Sequence, residues 1–197
     1  MKHWVVLAVF TALACAGGLG APAGAAEDIT VGIQLFDEGR LAEARQFCES
    51  FAREHPGDPA GLFYLGRIAF AEEHYEEAAA WFEKAVRLGD GNSDYHLWLG
   101  RAYGHQAERA SVLRQPLLAR KVKEHFEKAV ALNPENLAAR YDLMEYYLRA
   151  PRLLGGGQEK AREQAEEIAK REGPQERPRN EQGGGDAGGV FTQTHPH

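Results

Sequence analysis

The chain has 197 residues, 44% of them hydrophobic, with 23 Lys and Arg against 29 Asp and Glu and a formal net charge of −6 at pH 7. Acidic balance spread over Glu-rich segments interleaved with Arg and Lys argues against the basic face that nucleic-acid binding needs, so no nucleic-acid partner is expected. Its cysteines are Cys15 and Cys48. Only one thiol would remain after loss of an N-terminal leader, and no internal disulfide is expected.

Lys2 and His3 precede the apolar run Trp4 to Ala14, which passes through GGLGAPAGAA to Glu27 and Asp28. The run is too short for a spanning helix, and the pairs Ala23 with Ala25, or Gly24 with Ala26, suit a signal peptidase. Residues 1–26 therefore read as a secretory signal peptide. The expected destination is the periplasm or the cell exterior, with no membrane span left after cleavage. An uncleaved anchor is one alternative. A lipid anchor at Cys15 is another, disfavoured by Ala12 and Leu13 at the positions preceding it.

A repeat follows. Gly32, Gly66 and Gly100 stand 34 residues apart, as do Ala44 and Ala78, and Leu65 and Leu99. In the first unit, about 25–58, Ile29, Gly32, Ile33, Leu35 and Phe36 lie on one helix. Gly39 supplies a left-handed turn residue, and Ala44, Phe47, Cys48 and Phe51 form the apolar stripe of a second helix. In the second unit, 59–92, Leu62, Leu65, Gly66 and Ala69 line one helix and Tyr75, Ala78, Phe82, Ala85 and Val86 the next. Gly66 and Ala78 mark a close approach of the two helices, with Phe82 filling the space beside them. A single such hairpin leaves an apolar side uncovered, so units must stack.

The residues LFYLGRIAF and HYEEAAAWFEKAVRL resemble the tetratricopeptide repeat, a 34-residue helix–turn–helix, over about residues 25–171, with Leu65, Gly66, Tyr75, Ala78, Phe82 and Ala85 matching its packing pattern. The resemblance implies an all-α, right-handed superhelical solenoid of about four hairpins in residues 27–171. Glu73 departs from the family pattern where the turn usually has Gly, and Asp90 where the unit usually ends in Pro.

The third unit, 93–136, breaks the period. FEKAV at Phe82 to Val86 returns at Phe126 to Val130, a step of 44 instead of 34. Apolar phase continues through Ala107, Ala110 and Leu113, then through Leu118, Val122 and Phe126. Both helices of this hairpin are expected to be lengthened by about five residues, or ~7 Å at 1.5 Å per residue, with Pro116 in the first turn of the second. In the fourth unit, 137–171, Leu143, Tyr146 and Tyr147 mark one helix. PRLLGGGQEKA adds a loop of about five residues around Gly155 to Gly157. Ala161, Ala165 and Ile168 then form the thin stripe of a closing helix. Residues 172–197, rich in Gly, Pro, Glu, Gln and Arg, are expected to be disordered.

Chemistry is sparse. His74 among Glu72, Glu73, Glu76 and Glu77 reads as solvated helix ends. His96, His105 and His125 lack the i, i+4 partner of a helical zinc pair, and His195 and His197 sit in the tail. Cys48 lies within an apolar stripe and reads as a small hydrophobe, not a nucleophile. LGGGQEK lacks both the preceding strand and the Ser or Thr of a phosphate loop. Neither catalysis nor a cofactor or metal is expected.

The remaining surface is the concave face of the first helices, where the family resemblance implies peptide binding. Phe63 and Leu97 are 34 apart, as are Arg67 and Arg101, and Tyr141 and Glu145 continue these rows after the 44-residue step. Phe63 and Arg67 lie one turn apart, so two adjacent rows are expected, suited to an extended peptide with an acidic group or a C-terminal carboxylate. The expected function is a non-enzymatic scaffold binding a protein or peptide. The alternative is an accessory ligand-binding subunit of an envelope transport system, its long hairpin meeting the membrane component.

Overall fold

A computed structural model describes residues 28–172. The expected signal peptide, Cys15 and the tail beyond Glu172 lie outside them. Among the described residues there are eight α-helices in four antiparallel hairpins. They are α1 (Thr30–Asp37) with α2 (Leu41–Glu54), α3 (Pro59–Ala71) with α4 (Tyr75–Leu88), α5 (Ser93–Arg109) with α6 (Gln115–Leu132), and α7 (Leu137–Arg149) with α8 (Gln158–Glu172). α8 extends one residue past the expected boundary.

Each hairpin after the first is entered through a side-chain cap. Asp58 Oδ1 accepts the Ala60 N–H at 2.8 Å, Asn92 Oδ1 that of Asp94 at 2.9 Å, and Asn136 Oδ1 that of Ala139 at 3.1 Å. Such caps satisfy amides that the first helical turn leaves free. GDGN thus stands in for the missing Pro. Between the paired helices the chain reverses at Gly39 (φ +74°) and at Glu73 (φ +60°). Matching backbone bonds, Arg40 N–H to Leu35 O and His74 N–H to Ala69 O, both 2.9 Å, close the two turns.

The close approaches fall where the repeat pattern places them. A Cβ on Gly66 would lie 2.5 Å from the Phe82 ring, and one on Gly100 would lie 2.5 Å from the Phe126 ring. Larger residues would drive the paired helices apart. Neighbouring hairpins are joined by a repeated polar contact. The hydroxyl of Tyr103 bonds the Glu83 carboxylate, and 44 residues later Tyr147 donates to Glu127 at 2.7 Å. Burial, followed by the carboxylate bond, raises both phenol pKa values, so the tyrosines stay protonated donors.

The long hairpin departs modestly from expectation. α5 has 17 residues and α6 has 18, against 13 and 14 in α3 and α4, so each helix gains four and the connection takes the other two. Four residues extend a helix by about 6 Å. Leu118, Val122 and Phe126 are buried on α6, but Leu113 does not continue the Ala107 and Ala110 stripe, because α5 ends at Arg109 and Leu113 lies in the turn and points outward. Likewise Ala165 is exposed on α8, where Ala161 and Ile168 are the buried pair. Gln164 stands between them and accepts a 3.0 Å bond from the buried Arg140.

The Gly155–Gly157 insertion is ordered by its own bonds. Arg152–Leu154 forms a 3-10 turn ending at left-handed Gly155, the Gly157 N–H donates to Tyr147 O at 2.9 Å, and the Tyr146 hydroxyl donates to Leu154 O at 2.8 Å. These bonds hold the loop against α7. No described helix is long and apolar enough to cross a membrane.

Candidate binding groove

The first helices of successive hairpins contact one another, α1 with α3, α3 with α5, and α5 with α7, forming the inner face of the stack. On α3 that face follows the i, i+4, i+7 series Phe63, Arg67 and Phe70. The expected apolar row is sunk beneath the surface. Phe63 is 7% exposed, with its ring centroid 4.8 Å from Tyr95 and 5.7 Å from Phe82, and Leu97 is 2% exposed. Both positions face the seam between hairpins, so they serve the core and not a ligand.

Arg67 and Arg101 come together around Trp98, which stands 34 residues after Tyr64 and lies outside the expected rows. The guanidinium carbon of Arg67 lies 3.9 Å from the Trp98 ring centroid and 4.9 Å from that of Phe36, and that of Arg101 lies 4.7 Å from Trp98. Stacking on ring faces suits a weakly hydrated, delocalised cation. The two arginines differ in charge compensation. Arg101 Nε donates to Asp142 at 2.5 Å. Arg67 pairs with no carboxylate among the described residues, and its buried Nε has no hydrogen-bond partner there. Desolvation pulls the Arg67 pKa below its ordinary value, as expected for a cation held against aromatic rings without a counter-charge.

Beside this cluster lies a cavity of about 570 Å³. Phe70, Trp98 and His105 contribute aromatic edges from α3 and α5, Val122 and Phe126 line it from α6, and Pro151 and Leu154 close it from the inserted loop. His105 is held by stacking on Tyr75, centroids 4.4 Å apart, and by an edge contact to Phe70 at 5.3 Å. The lengthened hairpin and the Gly155–Gly157 loop are thus two walls of one hollow.

Of the remaining expected residues, Glu145 lines the cavity and pairs with Arg149 at 3.0 Å. Tyr141 is half-exposed and does not line it, since its hydroxyl reaches Glu172 on α8 at 2.5 Å. Phe70 could have been found from its helical spacing to Phe63 and Arg67. Trp98 could have been found from its 34-residue spacing to Tyr64, whereas the inserted loop was legible as an insertion but not as a cavity wall.

Elsewhere, Glu72 and Glu77 are engaged by Arg45 at 2.6 and 2.8 Å, which leaves His74 beside carboxylates already compensated. Cys48 is fully buried, and desolvation pushes its thiol up to about 11, away from nucleophilic character. His96 and His125 meet between α5 and α6 with Nδ1 atoms 3.0 Å apart, and His96 Nε2 lies 3.1 Å from the Asp90 carbonyl oxygen.

Comparison with known proteins agrees with this architecture. A family model described as tetratricopeptide repeat matches residues 32–93, and one described as regulator of microtubule dynamics protein 1-3 matches residues 65–148. The solved structure of MamA superposes with a TM-score of 0.59 at 18% identity, covering 73% of this chain and 75% of that one. TTC0263, a thermophilic repeat protein of Thermus thermophilus, superposes at 0.59 and 21% identity, covering 71% and 70%. YrrB, described as having an unusual peptide-binding site, superposes at 0.56 and 23% identity, covering 73% and 66%. At these identities the likeness is one of fold. Among curated proteins, intraflagellar transport protein 70A1 of Mus musculus is 27% identical over 114 residues, which is 53% of this chain and only 17% of that relative's length.

Proposed function

Because the chain belongs to the tetratricopeptide repeat family, we propose that it is a non-enzymatic interaction scaffold whose concave face binds an extended peptide of a partner protein. The observation that carries the reading is Arg67, a guanidinium held against Trp98 and Phe36 with no acidic partner among the described residues, next to the 570 Å³ cavity. A peptide carboxylate would supply the missing counter-charge, and an apolar side chain nearby would enter the cavity. The unusual peptide-binding site described for YrrB supports such a use of the same fold. Residues 1–26 support export, so the partner is sought in the periplasm or outside the cell.

Peptides selected from a random displayed library on the full chain should carry an acidic residue or free C-terminus close to an apolar one. Arg67→Ala should weaken the selected peptides by roughly 10- to 100-fold, the usual worth of a charged hydrogen bond. Selection without acidic enrichment, or unchanged affinity in the variant, refutes the groove assignment. The cavity volume is also that of a small-molecule site, which keeps the accessory ligand-binding reading as the second one. A rise in melting temperature with small apolar metabolites, unaffected by Arg67→Ala, would favour it.

A further inference from the structure

The end of the lengthened hairpin is the most hydrophobic exposed point of the described residues. Val112, Leu113 and Leu117 are 79%, 92% and 61% exposed, and Leu153, on the neighbouring 3-10 turn, is 90% exposed. None of them lines the groove cavity. The 3-10 turn flanks the same helix farther along, where Arg120, Lys123, Glu124 and Glu127 share a hollow with Arg152 and Leu153. Val112, Leu113 and Leu117 therefore project from the N-terminal end of α6, and Leu153 projects from beside the same helix farther along.

Charge on this tip runs against that of the whole. From Arg109 to Lys123 the chain carries Arg109, Arg114, Arg120, Lys121 and Lys123 with no Asp or Glu, in a protein of net charge −6. Arg109, Lys121 and Lys123 are partly compensated by Glu73, Glu83 and Glu127. Arg114, Arg120 and Arg152 have no carboxylate within ion-pair distance among the described residues. The turn is closed by a few bonds of its own. The Arg114 and Gln115 N–H groups donate to Ser111 O at 2.8 and 3.1 Å, the Gln115 side chain donates to Ala110 O at 3.3 Å, and Pro116 has no N–H.

From this juxtaposition we propose that the α5–α6 tip and the Arg152–Leu154 turn form a docking surface for an anionic lipid bilayer. Protruding leucines enter the boundary between headgroups and acyl chains, while the uncompensated arginines meet lipid phosphates. A protruding apolar end that carries Arg114, with Arg120 and Arg152 beside it, matches an anionic surface better than the hollow of an acidic protein.

The test uses the full chain and vesicles of phosphatidylcholine with or without phosphatidylserine. Leu113→Trp should shift its added emission to the blue and be quenched by brominated lipid with the phosphatidylserine vesicles alone. Binding in co-sedimentation should fall roughly fivefold for each of Arg114→Ala and Arg120→Ala. The double change Leu113→Asp and Leu117→Asp should remove the tip's contribution while helical circular dichroism is unchanged. Because Trp4 in the leader is common to all variants, the quenching of Leu113→Trp in excess of that of the unchanged chain separates tip insertion from leader binding. No quenching at position 113, or a self-association abolished by the same Asp changes without vesicles, overturns the proposal.

Discussion

Glu73 adopts φ +60°, and among the described non-glycine residues it alone is left-handed. A side chain in that region costs about 1–2 kcal/mol through its Cβ, and the corresponding turn of the first hairpin uses Gly39. Its carboxylate offsets part of this by pairing with Arg109 at 2.8 Å, though both side chains are exposed and such pairs contribute little. Glu73→Gly is therefore expected to raise unfolding free energy by up to about 1 kcal/mol in urea titration, while Glu73→Gln, which removes only the charge, should change it little. A loss on Glu73→Gly would mean that the contact to Arg109, and not the backbone, governs this turn. The departure of Glu73 from the family pattern was readable in the sequence. That the residue keeps the glycine conformation in spite of its side chain was not.

The contact between α5 and α6 includes a titratable pair. Two Nδ1 atoms 3.0 Å apart share one proton at most, so the pair tolerates one neutral donor and one acceptor. Burial first, and the neighbouring His96 second, depress the His125 pKa to about 4. A base with a depressed folded pKa binds protons more readily when unfolded, so its contribution is fully present above the unfolded value of about 6.5 and is lost as pH falls from there toward about 4. The melting temperature should decline across that window, and His125→Gln should flatten the decline. An unchanged slope in the variant would locate the sensitivity elsewhere. The two histidines are 29 positions apart in sequence, and nothing in their local patterns announced the meeting.

As a whole, the molecule is a row of nearest-neighbour contacts, in which α8 covers the end of the stack with little more than Ala161 and Ile168. Stability in such an array is a sum of unit and interface terms, so an end covered by so few buried residues should open before the middle. Ile168→Ala is expected to cost about 2–4 kcal/mol at that interface and to speed amide exchange in α7 and α8 more than in α3 and α4. Uniform acceleration along the chain would show instead that the stack melts as one cooperative unit. The 34-residue spacing, the 44-residue step, the Gly66–Phe82 and Gly100–Phe126 contacts and the position of the long hairpin all follow from residue types at fixed separations. Each is a local rule of helix geometry repeated along the chain. Whether a residue on the inner face is seam or surface depends on how the next hairpin leans against it. Only tertiary packing buries Phe63 and Leu97, sets Trp98 beside Arg67 and Arg101, and brings the inserted loop against the lengthened hairpin to enclose a cavity.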